Sequence, residues 1–276
     1  MSRTANSWRA SPLVQTPAAE LRALGAAVAL LTRVPVPGRW LGGDAGGTYV
    51  VRGAVYFPLV GGGVGLAVAG TAAASALWLP TLVAAVLAVS VDIALTGALH
   101  LDGLADSADG LAGRDRDHSL AIMRDHNVGV YGVAAISIDL LLKTATLAAL
   151  VGPGFGAGAV LVVAAYTLSR AAPLPLACLL GYARTAGTGH ALVNGLTNRR
   201  AAVGVGVAIV LAAATGGWVG SAGWTVAAML VTGLLLTLAV GLAARRRIGG
   251  VTGDVLGAAV ELSLLGGLVV AAGGIS

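Results

Sequence analysis

The sequence predicts an all-α fold: a polytopic transmembrane helical bundle of about six to eight spans, with an N-terminal interfacial or re-entrant helix. Composition is the first reason. The 276 residues are 57% hydrophobic and 11% charged, where a soluble domain is about 45–50% apolar and about 25% charged. The second reason is where charge is missing. No Asp, Glu, Lys or Arg falls between Arg52 and Asp92, between Lys143 and Arg170, or between Arg200 and Arg245. A bilayer-spanning helix needs about 20 apolar residues, so the first and third gaps each hold two. Third, the other classes fail. Disordered chains are poor in apolar residues, and Cys178 is the only cysteine, which removes a disulfide scaffold.

Residues 1–20 read as a polar N-terminal tail and 21–276 as one integral membrane domain. Segment 21–34 is apolar but stops at Pro35 and Pro37. It is too short to span, so an interfacial or re-entrant helix is expected there. Spans are expected at 53–79 and 81–99 around Pro80, and at 128–151 and 157–180 around Gly152-Pro153-Gly154. Two more, 201–215 and 224–242, flank a Gly/Trp turn at 216–223, and 256–272 is the last. Asp139 and Lys143 are four residues apart on one helix, so they share a face and are expected to pair. The Gly-rich runs 60–65 and 216–223 predict close helix packing.

Each of the three hairpins leaves one side of the membrane and returns to it. The polar stretches 100–127, 182–200 and 245–254 are therefore expected on the same side. Most of the arginines lie in or beside them, and the positive-inside bias puts that side in the cytoplasm. The net charge of +5, from 16 Arg and one Lys against 12 acids, is read as this bias rather than as nucleic-acid binding. The partner is a lipid bilayer, with no nucleic acid. The first apolar run, 23–31, sits behind a polar segment and lacks a clear cleavage site, so the N-terminus is expected to stay in the cytoplasm.

Half of the acids, six of 12, lie between Asp102 and Asp125. The core of this island reads His100-Leu-Asp102-Gly-Leu-Ala-Asp106-Ser-Ala-Asp109-Gly110. Steps of four and three residues put Asp102, Asp106 and Asp109 on one helical face. Three carboxylates stacked at the end of a span repel one another, and a hard divalent cation offsets that best. Oxygen-only ligands suit Mg²⁺ or Mn²⁺. Asp115 and Asp117, beside Arg114 and Arg116, read instead as ordinary helix-start acids in a solvated loop. His100 is a candidate ligand, phosphate contact or supporting partner.

Cationic groups accompany the acids. Arg124 follows the acidic face, Arg170 sits in an apolar helix where a bare guanidinium is costly, and Arg184 falls in the second polar stretch. The third stretch contains Gly249-Gly250-Val-Thr252-Gly253-Asp254. Its glycines let backbone N–H groups approach a phosphate, and the following helix N-terminus favours anions. An acid cluster, arginines and a Gly-rich turn on one face suit transfer of a phosphate-containing group. No serine–histidine–acid arrangement is evident, and Cys178 lies in an apolar run, so a covalent nucleophile is not favoured.

These motifs resemble those of the cobalamin synthase family, the adenosylcobinamide-GDP ribazoletransferases, over nearly the whole chain from about Leu21. The matching residues are Leu31-Thr-Arg33-Val-Pro35-Val-Pro37, Tyr56-Phe57-Pro58-Leu-Val-Gly61 and the acidic island through Gly113-Arg114. They continue with Ile122-Met123-Arg124-Asp125, Gly129-Val-Tyr131-Gly132, Ser169-Arg170, Tyr182-Ala-Arg184, and Gly249 to Ala258 with Glu261. Two positions depart from the family. Leu264 stands where a second glutamate is usual, and Asn127 where a basic residue is frequent. The resemblance implies a bacterial cytoplasmic-membrane enzyme that joins α-ribazole or its 5′-phosphate to adenosylcobinamide-GDP, with Mg²⁺. It would release GMP and form adenosylcobalamin or its 5′-phosphate.

On that reading Asp102, Asp106 and Asp109 bind the metal, and Arg124 acts with them. His100, Arg170, Arg184, Gly249, Gly250, Thr252 and Asp254 hold substrate phosphate. A CDP-alcohol phosphotransferase is the alternative enzyme, but Arg114 comes too late for that family's acidic spacing. A divalent-cation transporter is the non-enzyme alternative; it would carry its carboxylates near the bilayer midplane.

Overall fold

The computed structural model describes residues 16–40, 46–152, 154, 156–187, 189–217 and 223–274. Its first helix, α1, runs Pro17–Leu31. The Thr16 hydroxyl accepts from the Ala19 amide at 3.2 Å, and Pro17 occupies the first turn, where its missing N–H costs nothing. This start lies inside the segment expected as a tail; residues 1–15 of that tail lie outside the described residues. Fifteen residues make about 22 Å of helix, short of a hydrocarbon core of about 30 Å. That length fits the expected interfacial or re-entrant helix.

Helices α2 (Gly46–Gly53) and α3 (Phe57–Ser75) are joined by a 3₁₀ turn, Ala54–Tyr56. Next come α4 (Thr81–Thr96), α5 (Leu99–Gly110), α6 (Arg116–Ile122), α7 (Val130–Leu150), α8 (Ala157–Ser169) and α9 (Pro173–Leu179). The chain ends in α10 (His190–Gly195), α11 (Asn198–Gly217), α12 (Gly223–Ile248) and α13 (Gly253–Gly273). Among the described residues six stretches are long and apolar enough to cross a membrane: Gly47–Ser75, Val130–Leu150, Ala157–Leu179, Asn198–Thr215, Gly223–Ile248 and Gly253–Gly273. The α4–α5 pair would make a seventh, but it bends by 89°. The expected helical bundle and its number of spans both hold, and no β-strand occurs among the described residues.

Small residues set the packing. Helix α3 lies against α8, and α13 against α12, α5 and α8. A Cβ at Gly65 would stand 2.7 Å from the Tyr166 Cβ, so only glycine permits that approach. The close packing expected for 60–65 is therefore present. Most of the second Gly-rich run, 218–222, lies outside the described residues.

The bend after α4 is where the sequence reading and the structure part. The expected span ran on to Leu99. Instead Gly97 (φ 62°) and Ala98 (φ 57°) are both left-handed, which stops α4 and turns α5 away at a right angle. Arg33 covers this corner: its amide donates to the Leu95 carbonyl at 2.7 Å, and a Cβ on Gly97 would come within 2.6 Å of the Arg33 Cγ. If α4 crosses the bilayer, α5 lies along its surface.

The three polar stretches meet, as the hairpin arithmetic requires. Tyr182 and Val251 form an isolated parallel bridge. Arg116 donates from Nε to the Ile248 carbonyl (3.0 Å) and from Nη2 to the Ala183 carbonyl (2.8 Å). Arg247 donates to the Leu111 carbonyl.

Candidate active site

Two glycines bring α5 and the start of α13 together. A Cβ at Gly103 would stand 2.7 Å from the Asp254 carbonyl oxygen, and one at Gly257 would stand 3.3 Å from the His100 Cα. Asp102 and Asp106 of α5 are thereby set close to Asp254 of α13. Asp102 is exposed, while Asp106 and Asp254 are half-buried. The Asp106 carboxyl is pushed up to about 7, first by burial and then by the negative charges of Asp102 and Asp254. A cavity of about 370 Å³ opens beside them, lined by Arg33, Thr96, His100, Asp102, Asp254 and Gly257 among others. His100 is 4% exposed, and its Nδ1 has no hydrogen-bond partner. Among the described residues no three His, Cys, Asp or Glu side chains stand together as a ready-made metal cage.

Asp109 faces elsewhere. Its Oδ2 accepts from the Gly129 amide at 2.7 Å and its Oδ1 from the Gly132 amide at 2.9 Å. Both donors belong to the first turn of α7, so this buried carboxylate caps that helix from a different element. The helical spacing that grouped it with Asp102 and Asp106 holds, but α7 lies against its part of the face.

The other expected residues divide the same way. Arg184 reaches the site, with Nη2 2.8 Å from Asp254 Oδ2 and 3.2 Å from the Met123 carbonyl. Arg124 is exposed just past α6. Thr252 is fully buried: its hydroxyl accepts from the Val255 amide (3.3 Å) as the N-cap of α13 and donates to Asp254 Oδ2 (3.2 Å). Gly249 is left-handed at φ 76°, and Gly250 packs on the Gly181 carbonyl. Arg170 is 1% exposed inside the bundle, over the Tyr166 ring and 4.0 Å from Asp92. Asp115 caps α6 by accepting from the His118 amide at 2.8 Å, and exposed Asp117 pairs with Arg116 at 3.2 Å. Both have the helix-start roles expected of them.

Residues 23–272, nearly the whole chain, match the family described as cobalamin-5-phosphate synthase. The chain belongs to this family. It is 37% identical over 241 residues to the adenosylcobinamide-GDP ribazoletransferase of Escherichia coli K12, covering 87% of this chain and 95% of that protein. It is 40% identical over 244 residues to the protein of the same name from Azorhizobium caulinodans, covering 87% of this chain and 90% of that one. No solved structure matches it.

The family match spans a second set of charged residues that sequence reasoning did not assemble. Lys143 Nζ lies 3.0 Å from Asp139 Oδ2 and 3.6 Å from Asp92 Oδ2, and donates to Glu261 Oε2. These residues come from α7, α4 and α13, and all are at most 4% exposed. The Asp139–Lys143 spacing signalled one pair. Nothing in the sequence signalled that Asp92 and Glu261 converge on the same ammonium. Leu264, where the resemblance leads one to expect a second acid, is fully buried in the apolar core instead.

Proposed function

We propose that this chain transfers α-ribazole, or its 5′-phosphate, to adenosylcobinamide-GDP, releasing GMP and forming adenosylcobalamin or its 5′-phosphate. The observation that carries this is the family match over nearly the whole chain, together with the acid-and-arginine pocket at one end of the bundle. A ribose hydroxyl attacks the phosphorus on the cobinamide side, and GMP departs. Both substrates are polar and anionic. A pocket beside the polar stretches admits them without burying charge at the bilayer midplane.

The acid set fits Mg²⁺. Asp102, Asp106 and Asp254 offer oxygen ligands only, and Mg²⁺ needs just one or two carboxylates when water and substrate phosphate complete its shell. Burial first, and then the negative charges of Asp102 and Asp254, hold the Asp106 carboxyl above its ordinary range, and a bound cation would offset the second of these. Bound there, Mg²⁺ would neutralise the diphosphate and stabilise the departing phosphate. Asp102 and Asp106 would hold it together with Asp254, which Arg184 and Thr252 orient, and Asp109 fixes α7 behind them. Arg124, exposed past α6, and His100, on the pocket wall, would contact substrate phosphate, while Arg170 would support the site from inside the bundle. The arginine bias of the polar stretches sets this face toward the cytoplasm of a bacterial cytoplasmic membrane.

The test uses membranes containing the full chain, adenosylcobinamide-GDP and α-ribazole. GMP release that needs both substrates and stops with EDTA is expected. CMP release from a CDP-alcohol donor, with no GMP release from adenosylcobinamide-GDP, would overturn the assignment.

A further inference from the structure

Five ionisable groups from four helices meet inside the bundle, and none of them lines the active-site pocket. They are Asp92 on α4, Asp139 and Lys143 on α7, Glu261 on α13 and Arg170 at the end of α8. The side chains are 1–5% exposed. Three are acids and two are cations, so with every group ionised the cluster carries one uncompensated negative charge. A bare charge in an apolar interior costs several kcal/mol. The hydrogen-bond pattern shows the same deficit. Asp92 Oδ1, Asp139 Oδ1, Arg170 Nη2 and the Tyr166 hydroxyl are all buried with no hydrogen-bond partner. Such orphaned atoms call for something not yet counted.

We propose that this cluster is an intramembrane binding site for one proton taken from solvent, carried on Asp139. The three acids are not equivalent. Glu261 receives the Lys143 hydrogen bond. Asp92 lies between two cations, Lys143 at 3.6 Å and Arg170 at 4.0 Å. Asp139 has the Lys143 ammonium alone, as an ion pair at 3.0 Å, and its second oxygen, Oδ1, meets no donor. A proton there makes the cluster neutral and turns one orphaned acceptor into a donor. The other groups facing this volume are Tyr166 of α8 and His100 of α5, which feels the charges of Arg170, Asp92 and Lys143. Of the four helices that meet at this proton, α4 and α13 line the active-site pocket through Thr96, Asp254 and Gly257, and α7 and α8 pack against them. Helix α4 leads into α5, α7 is anchored by Asp109, α13 begins with Asp254, and α8 ends in Arg170.

Infrared spectroscopy of the full-length protein in lipid nanodiscs tests this through the carbonyl band of a protonated carboxylic acid. Spectra are taken from about pH 9 down to about pH 5, with Asp106→Asn in every sample so that Asp106, which also holds its proton near 7, does not contribute. The otherwise native protein should show the band, shifted by deuterium exchange. Asp139→Asn should remove it. Glu261→Gln should remove it too, because two acids against two cations leave nothing to neutralise. Lys143→Met should roughly double it; if that variant does not fold, the two conservative variants still decide. An otherwise native protein without the band anywhere in this pH range overturns the proposal, as does a band that survives either conservative change. So does an otherwise native protein without the band whose thermal midpoint rises with Na⁺ but not with K⁺, because the missing charge would then be a metal cation.

Discussion

Replacing Asp109 by asparagine separates an anchor from a metal ligand. The Asp109 carboxylate accepts two amides of the α7 first turn, at 2.7 and 2.9 Å, from a buried position. Asparagine keeps one acceptor and turns an NH₂ toward the other amide. One charge-assisted hydrogen bond, worth about 1.5–3 kcal/mol, is lost, along with a helix-terminus interaction of about 0.3–1 kcal/mol. The space allows no rearrangement. A Cβ on Gly129 would lie 2.6 Å from Asp109 Oδ1, so the carboxylate already fills its niche. A loss of about 2–4 kcal/mol is expected, a fall in thermal midpoint of roughly 4–16 °C at about 2–4 °C per kcal/mol. Asp102→Asn should behave oppositely. It removes one of several crowded, solvent-facing negative charges, so the midpoint should hold or rise while GMP release falls by about 10²-fold or more. The assays are a thermal unfolding scan in detergent and turnover on the same preparations. If Asp109→Asn keeps its midpoint and loses activity as Asp102→Asn does, then Asp109 is a ligand and the anchoring argument is wrong.

Three further outcomes follow from the geometry. Gly97→Ala places a side chain at φ 62° under Arg33, so it should cost at least about 1 kcal/mol of strain; an Arg33→Ala background should relieve the crowding but not the strain, as read by the midpoints of single and double variants. Asp106 is held at about 7 against an ordinary value of 3.8, so the folded state binds a proton more tightly than the unfolded one. With EDTA present, stability should therefore decline as pH rises from about 4 to about 7 and level off above, and Asp106→Asn should flatten that slope. Single cysteines at Asp117, Ala186 and Arg246, all exposed in the three polar stretches, should label from the cytoplasmic side of oriented vesicles in a Cys178→Ala background. Labelling of any one from the opposite side alone would break the single-face site.

What could be read from the sequence depended on whether the information was local. The spans were legible because each is one apolar run, and the same-side placement of the polar stretches followed from counting. The α4–α5 bend was not legible. It rests on Gly97 and Ala98 both turning left-handed beneath Arg33, 64 residues earlier in the chain, and a hydropathy run carries no mark of that. The acidic face was legible as a face, since 102, 106 and 109 share one side of any helix. Which neighbour each acid meets was not. Asp109 meets α7 and Asp106 meets Asp254, and both contacts depend on how α5 lies across the bundle.

Arg170 shows the same limit from the other side. A lone guanidinium in an apolar helix signals an anionic partner, and that inference was sound. The anion facing it is Asp92, 78 residues away, and spacing could not choose between a carboxylate of the chain and a phosphate of the substrate. Asp92 is likewise the only charged residue of α4. Two unexplained charges of opposite sign in separate spans are a signal that can be read jointly, since each is costly alone and the cost falls when they meet. Asp139, Lys143 and Glu261 are further charges in apolar spans, and only the structure shows that they meet at one place. The charge left over after pairing is the part that bears on chemistry, because neutrality in an apolar interior then requires a proton that the sequence does not itself contain.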